Sequence, residues 1–154
     1  MTYDDAEMTA VSMGYDVRQC KMTYHDGLVN GRRIYLRSGM TEAKKTDVLI
    51  EEVVHGEVTV GNILDQKSVN NRKQERFARK IVYEIRTPLI GIARAVNDGL
   101  TEPYEIADRL GCSEDTLREA LEYYRDKYGA YVYIDNYMIQ FIPYLYVYKP
   151  DEEI

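Results

Sequence analysis

Apolar positions recur along this chain with two different periods, and the changes of period mark out its elements. In residues 3–14 Ala6, Met8, Ala10, Val11 and Met13 alternate with acids in helical fashion. Over 15–38 the runs "YDVRQCKMTY" and "GRRIYLRS" lean towards strand on either side of "DGLVNG". The pair Asn30-Gly31 predicts a type I′ turn, whose two central residues both need φ > 0, within a small antiparallel sheet. Thr41 reads as the N-cap of a helix that starts with Glu42 and Ala43 and runs to about His55 or Val58. Residues 62–71, "NILDQKSVNN", read as a polar connection. A second long helix over 72–87 must stop at Pro88, because the residue before a proline is driven out of the αR region.

After that break residues 89–98 predict a further helix. The segment 101–128 reads as helix, turn at Gly111, and a second helix capped by Ser113, a helix-turn-helix spacing. Its core face by spacing is Ile106, Ala107, Leu110, Leu117, Ala120, Leu121 and Tyr124. The tail "AYVYIDNYMIQFIPYLYVY" alternates with period two and predicts a hairpin turning at Asp135-Asn136. Nine of the fifteen tyrosines lie beyond residue 120, which gives this hairpin an aromatic face. The expected organisation is a core over 1–95, followed by a helical segment and Tyr-rich hairpin over 96–154 that packs on it.

Composition narrows the function classes. With 45% hydrophobic and 30% charged residues, the 154-residue chain has the make-up of a folded globular protein. Nothing approaches the roughly 18 consecutive apolar residues of a membrane span. The first residues, "MTYDDAEMTAVSMGYDV", carry acids where a secretory signal would carry Lys or Arg, so cytoplasmic residence is expected. Cys20 and Cys112 are isolated, which argues against a thiolate zinc site or a disulfide framework. A net charge of −6 disfavours binding to a phosphate backbone. The 101–128 segment sharpens this: eight acids against four bases would repel DNA from the presumed recognition helix.

Candidate chemistry concentrates in "VLIEEVVHGEVTVGNILD", residues 48–65. On a helical wheel Leu49, Ile50, Val53 and Val54 take one side, while Glu51, Glu52 and His55 share an arc containing only Val48 besides. One reading of that arc is the solvated face of an amphipathic helix. The other is chemical. Side chains at i and i+4 can hold one metal ion while the residue between them serves as base, the logic of HExxH. Here the pattern is EExxH, with Glu51 and His55 in ligand positions and Glu52 in the base position. A third ligand could come from Glu75 in the next helix, at the border of the stripe Phe77-Ala78-Ile81-Val82-Ile85; its alternative role is an ion pair with Arg72 or Arg79. His25, the other histidine, reads as a surface strand or turn residue.

The stretch "VLIEEVVHGEVTVGNILDQKSVNNRKQERFARK" resembles the phage and mobile-element branch of the ImmA/IrrE metallopeptidases. The likeness extends outwards through "GLVNGRRIYLRSGMTEAKK" and "YEIADRLGCSEDTLREALEYYRDKYG", and covers roughly residues 3–129. It implies an α+β fold of the minimal zincin-like metallopeptidase type: a small antiparallel sheet and active-site helices, then the helix-turn-helix-like segment and β-hairpin. It also implies zinc, and proteolysis of a helix-turn-helix repressor that keeps a prophage or mobile element silent. Carried over by position, Glu51, His55 and Glu75 are the zinc ligands and Glu52 the general base. Glu51 stands in place of the first histidine of HExxH, a replacement common in this branch. Gly56 stands where the branch usually has a second, adjacent histidine.

Two function classes follow. One is a zinc endopeptidase acting as an anti-repressor, in which the basic stripe Arg72, Arg76, Lys80 and Arg86 steers an acidic stretch of the substrate. The other is a catalytically degenerate, metal-free anti-repressor or adaptor that works by docking. Neither needs direct contact with nucleic acid or membrane.

Overall fold

Two separate hydrophobic cores organise the chain in the computed structural model, which describes residues 1–59 and 68–149. One belongs to the unit Met1–Val82 and the other to the unit Tyr83–Ile154. The class is α+β, with six helices and two three-stranded sheets among the described residues. No helix of the described residues is long and apolar enough to cross a membrane.

The first unit opens with α1 (Tyr3–Ser12). Thr2 caps it reciprocally: the Asp5 N–H donates to Thr2 Oγ1 at 3.2 Å, and the Thr2 N–H donates to Asp5 Oδ2 at 3.0 Å. Strands β1 (Asp16–Cys20), β2 (Gly27–Asn30) and β3 (Arg33–Arg37) form a sheet in the order β1-β3-β2. The expected antiparallel sheet is in fact mixed. β2 and β3 form an antiparallel hairpin, but β1 runs parallel to β3, with Val17 opposite Ile34 and Gln19 opposite Leu36. Period-two alternation sets which face of a strand is buried and carries no information on direction. β3 takes the centre because Ile34 and Leu36 are its most apolar positions, and both are fully buried.

The hairpin turn also sits one residue later than expected. Asn30 pairs with Arg33, so the loop is Gly31-Arg32, and only Gly31, at φ 61°, has a positive φ. Glycine at the first central position is the pattern of a type II′ turn.

Helix α2 (Glu42–Thr59) lies on this sheet. Thr41 caps it as expected, accepting the Lys44 N–H at 3.3 Å. Val48, Leu49, Ile50, Val53 and Val54 are all buried, and with Ile34, Leu36 and residues of α1 they make the first core. Helix α3 (Ser68–Arg86) contributes Ala78 and Val82 to it. Of the polar connection expected over 62–71, residues 62–67 lie outside the described residues and 68–71 are already helical. The apolar stripe expected on α3 is narrower than its sequence suggests: Phe77 and Ile85 are exposed, at 54% and 44%. The spacing places those residues beside the core face but does not say how far a neighbouring element reaches round the helix.

In the second unit Pro88 ends α3 and stands as N-cap of α4 (Leu89–Asn97). α5 (Pro103–Leu110) stops at Gly111, left-handed at φ 76°, and α6 (Glu114–Tyr128) starts from Ser113, whose hydroxyl accepts the Thr116 N–H. Of the expected core face here, Ile106, Ala107, Leu117, Ala120 and Tyr124 are buried. The tail forms β4 (Tyr131–Ile134), β5 (Tyr137–Gln140) and a third strand, β6 (Tyr146–Tyr148), all antiparallel. The β4–β5 loop is Asp135-Asn136, as expected.

Candidate functional site

Glu51, Glu52 and His55 sit on consecutive turns of α2, whose rotation is held by Leu49 and Val53 in the core. The arc they share is only partly a solvated face: Glu51 is exposed, whereas Glu52 and His55 are half-buried. Val48, within that arc, is buried against the edge strand β2, and Glu52 is half-buried beside it. Gly27 makes the approach possible: a Cβ there would lie 2.5 Å from Val48 Cγ1 and 2.9 Å from Glu52 Cγ. The His55 side chain is only 20% exposed.

Glu75 of α3 joins this group. His55 Nε2 faces Glu51 Oε1 at 3.7 Å, and His55 Nδ1 faces Glu75 Oε1 at 3.9 Å. Both separations exceed a formed hydrogen bond and act as charge attractions across the ring. Glu75 also lies 3.9 Å from Arg79 through its other oxygen. The ion pair expected of Glu75 is thus formed with Arg79, and the same carboxylate also faces the histidine.

The electrostatics follow from three carboxyls around one imidazole. Burial, reinforced by the charges of Glu51 and Glu75 and opposed by His55 and the Val29 N–H, pushes the Glu52 carboxyl up to about 7. Glu51 moves the other way: its contact with His55 holds it below the usual carboxylate range despite partial burial. His55 is raised, first by Glu51, against the cost of burial, and further by Glu75 and Glu52. The group therefore carries more carboxyls than cations and favours a cation, a proton included.

The donor set fits zinc in kind: two carboxylate oxygens and one imidazole nitrogen, with a fourth position left open. A single ion must be reached by one ring nitrogen and both carboxylates together. As arranged, the two nitrogens of His55 face different carboxylates, and among the described residues no three His, Cys, Asp or Glu side chains form a ready ligand cage. Binding would require the imidazole to turn so that one nitrogen faces the space between Glu51 and Glu75.

All four residues singled out as ligands and base are thus brought together. The basic stripe is only partly as expected. Arg72 and Arg76 are exposed and Lys80 is half-buried, but Arg86 is 2% exposed and donates to the Gly111 carbonyl. It is a structural residue of the second unit and no part of a solvated face. His25 is exposed in the loop before β2, in keeping with its reading as a surface residue.

Sequence reasoning missed two features around the site. One is Gly27 in "DGLVNG", a strand position that lets Glu52 approach. The other is the packing behind His55. Tyr15 is buried, and its ring lies so close to Gly56 that a Cβ there would collide with the Tyr15 hydroxyl. That hydroxyl donates to Glu57 Oε1 at 2.9 Å, Arg32 donates to the same oxygen at 2.9 Å, and the Arg32 guanidinium lies 4.9 Å from the Tyr15 ring centre. The residue after His55 must therefore lack a side chain. A glycine inside a helix, costing about 1 kcal/mol relative to alanine, was the available signal. Comparison of the chain with protein-family models, characterised proteins and solved structures found no match.

Proposed function

We propose that this chain is a zinc-dependent endopeptidase of the minimal zincin-like type, and that its substrate is a helix-turn-helix repressor of a phage or mobile element. Glu51, His55 and Glu75 would hold the ion. When bound, zinc supplies a Lewis acid for the scissile carbonyl and lowers the pKa of water. Glu52 takes a proton at its carboxylate and returns it to the departing amine, work suited to a group that titrates near neutrality. His55 has to shed its own proton to become a ligand, so metal competes with acid at this ring.

The observation that supports this reading is the gathering of exposed Glu51 and Glu75 about half-buried His55, with half-buried Glu52 on the same helix face. Carboxylates retained for solubility alone have no reason to be placed against a strand, at a desolvation cost. The test is elemental analysis of the purified protein, followed by a cleavage assay on the repressor. About one zinc per chain is expected, lost in both His55→Ala and Glu75→Ala. Glu52→Gln should keep zinc and fold while losing cleavage; if that variant still cuts, the base is another residue.

A second reading, a metal-free anti-repressor that acts by docking, draws support from the two imidazole nitrogens facing different carboxylates. It expects no zinc even after incubation with excess metal. It also expects unchanged repressor binding when Glu51, Glu52 or His55 is replaced by alanine.

A further inference from the structure

The sheet of the second unit has one face in the core and one face open. Inward, Val132, Ile139 and Val147 form a cross-strand row against the second core. Outward, one row is Tyr131, Gln140 and Tyr146, and the next is Tyr133, Met138 and Tyr148. Four of these six positions are tyrosine. Tyr131, Tyr133 and Tyr146 are exposed at 54%, 67% and 49%, and the Tyr131 and Tyr133 rings meet edge to face at 5.7 Å. An antiparallel sheet that simply meets water on one side carries Lys, Glu, Thr or Ser there. Aromatic rings at such positions mark a surface for recognition.

Charge decides what kind. Residues 1–82 carry thirteen basic and twelve acidic side chains, so the whole negative balance of the chain lies in residues 83–154, with fourteen acids against seven bases. One of those bases, Arg86, is buried. A phosphate backbone is repelled by such a unit, whereas a cationic polypeptide is attracted to it. The unit's own lysines already use tyrosine faces in this way: Lys127 lies 5.1 Å from the Tyr128 ring centre and Lys149 lies 5.8 Å from that of Tyr137. Among the described residues no cation lies over Tyr131, Tyr133 or Tyr146.

We infer that the open tyrosine face of β4, β5 and β6 is a docking surface for an arginine-rich segment of a partner protein. Guanidinium groups stack on the ring faces and donate hydrogen bonds to the hydroxyls. Tyrosine gives up little conformational entropy in accepting them. The three most exposed rings offer roughly 300–400 Å². That is well below the roughly 800 Å² per partner of a stable complex, so the contact is a weak, reversible one. The inference is independent of the metal site and stands whether or not the chain cleaves peptides.

The experiment titrates the full chain into a fluorescein-labelled peptide of eight arginines spaced by Ser-Gly, followed by anisotropy at low salt. A peptide with lysine at the same positions and a labelled oligo-dT are run alongside. The variant is Tyr131→Thr/Tyr133→Thr/Tyr146→Thr, which leaves charge unchanged and keeps residues that favour strands. The expected result is micromolar binding of the arginine peptide, severalfold weaker binding of the lysine peptide, and at least tenfold loss in the triple variant. Equal affinity of the variant, or of the two peptides, would mean only general attraction to an acidic surface and would overturn the inference. Tyrosine-dependent binding of oligo-dT would overturn it in favour of a base-stacking platform. Should the triple variant fail to fold, ring signals of wild-type protein carrying ¹³C-tyrosine decide the matter: shifts on adding the arginine peptide must be confined to this face.

Discussion

Replacing Glu52 with glutamine should stabilise the metal-free protein at alkaline pH while changing little in acid. The Glu52 carboxyl is half-buried against Gly27, with Glu51 and Glu75 nearby, and its pKa is pushed from 4.5 up to about 7. Between those values the folded state holds a proton that the unfolded chain has released. The stability this group confers is thus fully present below pH 4.5 and is lost as pH rises through 7. At 1.36 kcal/mol per unit the shift corresponds to about 3 kcal/mol, and partial solvent access reduces this to about 2 kcal/mol. Glutamine keeps the shape and carries no charge. Urea unfolding in the presence of a chelator, at pH 4.5 and pH 8, makes the comparison. The variant should exceed wild type by about 2 kcal/mol at pH 8 and agree within about 0.5 kcal/mol at pH 4.5. His55, also raised, loses stabilisation in the same direction as pH rises, so both proteins should weaken towards alkaline pH and wild type more steeply. A variant no more stable than wild type at pH 8 would refute the reasoning. It would mean that Glu52 is adequately solvated.

Gly56→Ala should cost about 1–3 kcal/mol, because its methyl group meets the Tyr15 ring; Tyr15→Phe in the same chain should recover part of that loss in urea unfolding. Gly27→Ala should lift α2 from β2 by displacing Val48 and Glu52. We expect a similar loss of stability, read by unfolding, and, on the proposed function, reduced cleavage at unchanged zinc content. In the second unit the buried Tyr124 hydroxyl donates to the Thr87 carbonyl at 2.8 Å, so Tyr124→Phe should lower stability in urea unfolding by about 1–2 kcal/mol.

What the sequence determined by itself was local. Thr41 and Ser113 cap helices because their hydroxyls reach N–H groups three residues on, Pro88 breaks one because its ring constrains its neighbour, and Gly111 ends one in a left-handed conformation. The 3.6-residue period also picked out Ile106, Leu117 and Tyr124 as core, since a buried stripe needs no knowledge of what covers it. Only the tertiary structure decided the parallel pairing of β1 with β3, the burial of Arg86 and the exposure of Phe77 and Ile85. It alone set Glu75 beside a histidine twenty residues away and placed Glu52 of EExxH, half-buried, against Gly27. The division has a physical cause. Caps, turns and periodicities are settled by backbone geometry within about four residues, whereas strand direction, depth of burial and the meeting of distant carboxylates depend on how whole elements pack, which no local pattern encodes.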